Sequence, residues 1–435
     1  MRKSPAAPGA AEAAGVRSAP FSEITWMLAL FGTAIGAGIL YLPLQAGTGS
    51  LWALILLSAL IFPLLYLAHR RVLDMLMLGN GELDYSGVAG RYLGRGLDWI
   101  ILLLFLLTFQ AVLVSYAIGL NANLGDYLHQ QGWTATDWSQ KPFLSLGILL
   151  AFALIYLIGQ QTLLRLMTLA SGLLIVALFG LSLYLIPFWD LSPFSLAISP
   201  LALIADMLLV LPILTFSLIF FPAMSSMVMA LKQSHPLWPE GAETRLKRVV
   251  LVTSALLMLF VIFFVISCVL ALTPPELASA MASNLNGLSM LSGKPGISPV
   301  LAEIGTLLGL CALFTSFVGV FLAVRDAVRE LIRRLLPSQS TTASAAHRWT
   351  EWLLLTLVLG SAWLMTIANP SIVKTFGKLI SPLVGIFIFL LPLAVLARAR
   401  GPGLLLRPGS LFVLLFGVLI LFSYDLGNWL KGALQ

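Results

Sequence analysis

Three glycines, Gly32, Gly36 and Gly38, fall within seven residues of the charge-free stretch FGTAIGAGILYLP, with Thr33 among them and Pro43 at its end. In a helix each glycine costs about 1 kcal/mol relative to alanine, and each lets another group approach the backbone closely. The spacing also suits plain helix packing, because Gly32 and Gly36 form a GxxxG pair. A second stretch tips the balance. Residues 201–230 carry Pro212, Phe216, Ser217, Pro222, Ser225 and Ser226, so the helical ladder is interrupted around residues 217–222. Two interrupted helices at matching places in two halves of a chain point to a transport site near the membrane midplane.

The chemistry of such a site follows from the broken backbone. Where the second half-helix starts, free N–H groups and the positive dipole end face an anion. Where the first half-helix ends, free carbonyls face a cation. A zwitterion satisfies both. The reading is an α-amino acid with its carboxylate near Gly36, Ala37 and Gly38. Its ammonium lies near Thr33, Ala34, Phe216 and Ser217, and Ile219 and Phe220 line the rest. Gln110 is a further candidate, because a buried amide in lipid binds a ligand or glues helices together; Ser115 and Tyr116 lie a little beyond it.

The elements that position these residues must cross a membrane. Of 435 residues, 59% are hydrophobic and 10% charged, with a mean hydropathy of +0.99. Soluble domains run to about 45–50% apolar and about 25% charged. Charge-free runs long enough to span the hydrocarbon core occur at 24–46, 50–69, 97–124, 142–159, 163–189, 201–230, 249–272, 300–324, 350–368, 377–397 and 410–430. The chain is therefore expected to be an all-α integral membrane protein of 11 transmembrane helices, with helices 1 and 6 discontinuous. Helices 1–5 (24–189) and 6–10 (201–396) would form a 5+5 inverted repeat within a core at 23–397, followed by an additional helix at 410–430.

Charge placement sets the expected orientation. With the N-terminus inside, only Lys141, Lys294, Lys374, Lys378 and Lys431 of the 25 Lys and Arg lie outside, as the positive-inside rule requires. The net charge of +7 is thus topological, and it gives no reason to expect nucleic acid. Residues 1–22 read as a disordered cytoplasmic tail without the apolar core of a signal peptide. Residues 82–96 read as a short amphipathic element on the cytoplasmic surface. The loop 273–299 lies outside and opens with a helix-start pattern at Thr273 to Glu276. The partners expected are a small amino acid and membrane lipid, and nothing in the sequence sets an oligomeric state.

What could drive transport is a gradient, since no GxxxxGK[ST] motif occurs. Glu23, Asp98 and His69 sit near helix ends, Asp206 and Glu303 near outer ends, and Asp425 in the last helix; all read as solvated termini and poor midplane proton carriers. Ala312, Thr315 and Ser316 share one helical face and offer a carbonyl and two hydroxyls. That face suits a hard cation, or its hydroxyls bond back to their own helix. Arg325 and Asp326, followed by Arg329, Arg333 and Arg334, read as the solvated basic inner end of that helix or as an inner gate. An enzyme is not expected, because His69, His129, His235 and His347 do not pair and Cys268 and Cys311 form no metal spacing. A substrate-gated channel shares the helix count with a carrier.

The segments TWMLALFGTAIGAGILYLP, SLYLIPFW, FPAMSS and ALTPPELASA resemble the hydroxy/aromatic amino acid permease family, above all its serine/threonine branch. The resemblance runs from Phe21 to the last helix. It implies the leucine-transporter fold of the amino acid/polyamine/organocation superfamily, and ion-coupled amino acid uptake across a bacterial inner membrane. Two departures stand out. The branch carries Asn, His and Ser in helix 6 where this chain has Ile219, Phe220 and Phe221, which makes the pocket more apolar. It carries a lysine where this chain has Thr315. Sodium-coupled members of the superfamily hold an ion between such a face and the broken first helix, which here implicates Gly32 and Ile35 beside Ala312, Thr315 and Ser316. The family's usual driving ion is the proton. No cofactor is expected beyond a sodium ion.

Overall fold

The structure, a computed structural model, describes residues 22–157, 160–195, 198–234, 241–291, 294–335 and 344–434. The expected N-terminal tail, up to residue 21, and His235 lie outside the described residues. All regular structure among the described residues is helical. The first two helices, α1 (Glu23–Ala34) and α2 (Ala37–Gly47), form one bent pair with a 55° turn between them. They are followed by α3 (Leu51–Met77), the short α4 (Tyr85–Leu93) and α5 (Arg95–Gln130). Next come α6 (Pro142–Leu157), α7 (Gln160–Tyr184), α8 (Pro200–Ser217), α9 (Phe221–Ser234) and α10 (Ala242–Ala271). The chain ends with α11 (Pro274–Ala282), α12 (Pro299–Leu335), α13 (Ser344–Ala368), a composite helix over Ile372–Arg400, and α17 (Pro408–Leu434). The composite helix comprises α14 (Ile372–Thr375), α15 (Ser381–Gly385) and α16 (Leu391–Arg400), separated by π-helical turns at Phe376–Ile380 and Ile386–Leu390.

Seven described helices are long and apolar enough to cross a bilayer, and the bent pair makes an eighth. Here α8 and α9 count together as one span, Pro200–Ser234. Three shorter apolar stretches, Pro142–Phe152, Gly172–Tyr184 and Trp352–Ala368, fall within further runs read from the sequence.

Local chemistry explains where these helices begin. Ser22 caps α1 by accepting from the Thr25 N–H, Asp84 caps α4 from Gly87, and Ser199 caps α8, with Pro200 preset for its first turn. Gly94, at φ +92°, turns the chain from α4 into α5 in a conformation that disfavours a side chain. The start pattern at Thr273 is a full capping box. The Glu276 carboxylate accepts from the Thr273 N–H at 2.7 Å, and the Glu276 N–H donates to Thr273 Oγ1 at 3.4 Å. Burial alone would raise the Glu276 carboxyl, but donation from the Thr273 N–H, the Thr273 hydroxyl at 2.9 Å and Lys294 at 3.2 Å outweighs it and holds the carboxyl below its ordinary range.

Packing separates a buried core from an exposed apolar shell. Leu103, Leu107, Leu169, Leu173, Val176, Leu259, Leu357 and Leu364 are exposed, which is costly in water and favourable against acyl chains. Inside, Ile39 to Leu42 of α2 are fully buried, whereas Ile24 and Leu28 of α1 are 70% and 63% exposed. The second half of the bent pair is thus enclosed, and only the start of the first half is peripheral.

Several acidic groups differ from their reading as solvated termini. Asp206 is buried, its Oδ2 accepting from the Ser50 N–H at 2.7 Å and its Oδ1 pairing with Lys431 at 2.7 Å. A carboxylate placed there caps the start of α3 and ties α8 to α17. Asp98 pairs with Arg334 at 2.8 Å, and Glu23 with Arg245 at 2.8 Å. Arg325, read as solvated, is 2% exposed; the side chain of Asp326 lies outside the described residues. Burial of these charges needs partners, because an unpaired ion in a low-dielectric interior costs several kcal/mol.

Candidate functional site

The two interruptions expected from glycine and proline are present. The first lies at Ile35 and Gly36, where the backbone is extended (φ −73°, ψ 99° and φ −149°, ψ −162°). It ends α1 and leaves the first N–H groups of α2, from Ala37 onward, at the break. The second covers Leu218, Ile219 and Phe220, between α8 and α9. Pro222 supplies no N–H to α9 and clashes with a continuous ladder, so the chain leaves the helix just before it.

The breaks meet. A Cβ at Gly38 would lie 2.8 Å from Phe216 Cδ1 and 3.3 Å from Ser217 Oγ, and one at Gly36 would lie 2.6 Å from Ser316 Oγ. Both glycines are therefore there for close approach, and α12 reaches the same junction through Ser316. In this conformation the junction is packed shut.

Around this contact stands an aromatic wall. The Phe216 ring packs on Phe376 at 4.7 Å between centroids, and Phe376 on Tyr41 at 6.5 Å. Tyr41 is fully buried, and its hydroxyl donates to the Asn284 carbonyl at 3.3 Å. Phe376 opens a π-helical turn, a distortion often found at functional sites. Ser217 is buried and its hydroxyl returns to Ile213 O at 2.8 Å. Ser381 donates across to Pro212 O at 2.9 Å.

Other candidates point elsewhere. Gln110 Nε2 donates to Val358 O at 3.0 Å and Ser361 Oγ at 2.8 Å, so of its two readings it here joins helices, α5 to α13. Thr33 is exposed, with its hydroxyl returned to Ala29 O at 2.8 Å. Ala34 and Ile35 are buried at the end of α1, and Gly32 lies inside that helix. Ile219 is buried within the second break. Phe220 turns away from the first break and stacks on His69, with 3.8 Å between centroids and 12° between planes. Ala37 starts α2 with its backbone. On α12, Thr315 Oγ1 donates to Ala312 O at 3.1 Å, the back-bonded arrangement. The oxygens of Ala312, Thr315 and Ser316 are of the right kind for a hard cation, and Ser316 alone is seen to touch the break.

Sequence reading missed three groups. His69 was set aside as terminal, yet it is fully buried in α3 and bonded to the second break. Phe376 and Tyr41 had no signal beyond apolar character. A buried asparagine cluster was also missed: Asn123 Oδ1 accepts from the Asn286 N–H at 3.0 Å, Asn286 Nδ2 at 2.6 Å and Ser289 Oγ at 2.8 Å. Beside it Asn284 Nδ2 donates to Asn369 Oδ1 at 2.9 Å, and Asn284 Oδ1 accepts from the Ile372 N–H at 2.9 Å. Two asparagines, Asn121 and Asn123, inside an apolar run were the available signal.

Comparison with known proteins bears on the same architecture. The chain is 29% identical over 388 residues to the serine transporter SdaC of Escherichia coli K12, covering 87% of this chain and 88% of that protein. It is 27% identical over 427 residues to the threonine/serine transporter TdcC of Yersinia enterocolitica, covering 92% and 95%. Among solved structures it resembles the Eremococcus coleocola manganese transporter, with a TM-score of 0.56, 15% identity, and 94% and 87% coverage. It also resembles MhsT in complex with L-phenylalanine, with a TM-score of 0.51, 14% identity, and 95% and 100% coverage. These likenesses show the leucine-transporter fold. The bent first pair, the broken eighth and ninth helices and the buried aromatic wall all fall within residues 23–395, which match the tryptophan/tyrosine permease family, and to that family of membrane transporters the chain belongs.

Proposed function

We propose that the chain imports an amino acid by cation symport, working by alternating access. The observation that carries this is the meeting of the two helix breaks, with Gly38 against Phe216 and Ser217 and Gly36 against Ser316. When the halves part, the N–H groups at the start of α2 hold the carboxylate and the carbonyls of the second break hold the ammonium. The aromatic wall of Phe216, Phe376 and Tyr41 then takes the side chain. Relatives named for serine and threonine support a hydroxy amino acid; the apolar wall supports a side chain larger than that of serine, since a buried hydroxyl without a partner costs about 1–3 kcal/mol.

The full architecture we propose has eleven spans, five-plus-five inverted repeats and an extra C-terminal helix in a bacterial inner membrane. The N-terminus is cytoplasmic and the C-terminus outside. The helices at each run of the sequence and the charge bias of the loops support it. For the driving ion, two readings each have an observation behind them. Sodium would lie among the oxygens of Gly32, Ile35, Ala312, Thr315 and Ser316, supported by the contact of Ser316 with the first break. A proton is supported by His69, developed below.

Reconstituted proteoliposomes test the transport reading. A carrier shows saturable, gradient-driven accumulation and counterflow; a channel shows neither. L-threonine or an aromatic amino acid is expected to compete at least as well as L-serine, and competition by L-serine alone would refute the apolar pocket.

A further inference from the structure

The second helix break is held by an imidazole. The Phe220 N–H, freed by the interruption, donates to His69 Nε2 at 3.2 Å, while His69 Nδ1 lies 2.8 Å from Leu65 O. A backbone N–H can only donate and a carbonyl can only accept, so Nε2 carries the lone pair and Nδ1 the hydrogen. Both nitrogens of a neutral ring are thereby used, and the ring face is covered by Phe220. A proton added to the Nε2 lone pair turns that acceptor into a donor facing a donor. The bond is lost, and the buried imidazolium is left beside an unsatisfied amide.

Among the described residues, no ion pair reaches this imidazole. Elements packed against α3 carry Asp206 on α8, Lys232 on α9, Arg91 on α4, Arg398 and Arg400 on α16, and Asp425 and Lys431 on α17. The cytoplasmic start of α10 carries Glu243, Arg245, Lys247 and Arg248, and α3 itself Arg70, Arg71 and Asp74. The tyrosines of these elements are Tyr41, Tyr66, Tyr85, Tyr92 and Tyr424, and α10 adds Cys268. The ion pairs described for these groups, Arg71–Asp74, Arg245–Glu23, Arg248–Glu23, Lys247–Glu243, Lys378–Asp425 and Lys431–Asp206, run elsewhere. What adjoins the imidazole's partners is a small cavity lined by Phe62, Leu65, Leu218, Ser254, Leu257 and Met258. Leu65 is the residue whose carbonyl His69 engages, and Leu218 belongs to the break. Ser254 lines it too, more than nine-tenths buried, with its hydroxyl unpartnered, so one polar group faces the cavity beside the break.

We propose that His69 is the residue through which a proton is coupled to the second helix break. Proton binding at Nε2 and the present arrangement of Leu218 to Phe220 exclude each other, so a proton taken up from one side is bound only when the break has rearranged, and is released when the Phe220 N–H returns. This rests on the symport reading and names its ion and its residue.

His69→Gln tests it, because the amide oxygen still accepts from Phe220 and the side chain does not titrate. In proteoliposomes loaded with a pH-sensitive dye, the wild-type protein is expected to accumulate L-threonine or L-serine under an inward-acid gradient, with acidification of the lumen. His69→Gln is expected to keep counterflow and to lose gradient-driven accumulation and the dye signal by at least about tenfold, with a flattened pH profile. Should His69→Gln fail to insert, a chain with His129, His235 and His347 replaced by Gln leaves His69 as the sole imidazole for nitrogen NMR. It is expected to show the Nδ1–H tautomer at neutral pH and a titration displaced by L-threonine. Retained proton-coupled accumulation in His69→Gln, sodium-driven accumulation without proton entry, or an imidazole titration indifferent to L-threonine overturns the proposal. Wild-type vesicles that accumulate no amino acid under any gradient refute the transport reading instead.

Discussion

Alanine at Gly36 would put a methyl carbon 2.6 Å from Ser316 Oγ, where ordinary contact between heavy atoms begins at about 3.5 Å. The backbone raises no objection, because φ −149° and ψ −162° are open to any residue. The cost is therefore purely steric, and the Ser316 hydroxyl, α12 or the first break must yield by roughly 0.9 Å relative to that ordinary contact. Overpacking of this kind costs about 1–3 kcal/mol, which at about 1.4 kcal/mol per decade is a loss of about five- to 150-fold. Removing the obstacle should reverse it. Ser316→Ala takes away Oγ and leaves Cβ at 3.6 Å, an ordinary contact. The assay is saturable amino acid uptake by Gly36→Ala, Ser316→Ala and the double variant in proteoliposomes at matched insertion. Gly36→Ala is expected to fall within that range, and the double variant to return to the level of Ser316→Ala. Wild-type uptake by Gly36→Ala, or a double variant no better than Gly36→Ala, would refute the claim that the break and α12 meet at this point. Gly36→Val, whose extra methyls find no such relief, is expected to abolish uptake while membrane insertion persists.

Other expectations concern the ion, the capped helix α11 and the asparagine cluster around Asn123. If sodium binds between α12 and the first break, Thr315→Val and Ser316→Ala each weaken sodium activation while affinity for the amino acid at saturating sodium changes less; unchanged activation curves remove that site. Because the Glu276 carboxyl is held below its ordinary value of 4.5, its contribution to α11 is full above that value and is lost as pH falls through the depressed one. Amide exchange at Leu277 is therefore expected to be slow near neutrality and to accelerate, beyond its intrinsic pH dependence, only in stronger acid; the same rise in Glu276→Gln would refute it. Asn123→Ala leaves Asn286 and Ser289 without their shared acceptor, and labelling of a cysteine introduced at Ser289 is expected to rise several-fold. Unaltered labelling would show that the cluster does not depend on Asn123.

Much of this architecture is visible in residue types. Gly36 and Gly38 locate the first break, and Pro222 locates the second to within a residue or two, because glycine and proline act on the backbone wherever the surrounding helices lie. Thr273 and Glu276 announce α11 for the same local reason. Rotation about a helix axis is harder to read. In α1 and α5 apolar residues occupy every face, so no periodicity tells that Thr33 turns outward or that Gln110 turns toward α13. His69 shows a different limit. Its place near a basic pair suggested an exposed end, but its role is set by Phe220, 151 residues away in sequence, and only the fold brings them together.

The two π-helical turns at Phe376–Ile380 and Ile386–Leu390 bear on how this chain can change length. A π turn closes its hydrogen bond over one more residue than an α turn, so each carries a surplus residue. Deleting one residue from an α-helix re-aims everything beyond it by about 100°, since a turn holds 3.6 residues. Deleting one within Phe376–Ile380 lets the ladder close as α with its flanks in register. The helix that supplies Phe376 to the aromatic wall is thus where a one-residue gap does least damage, and the loss falls on the wall itself. Shortening there is a route by which a permease of this fold could reshape its pocket without disturbing the helices around it.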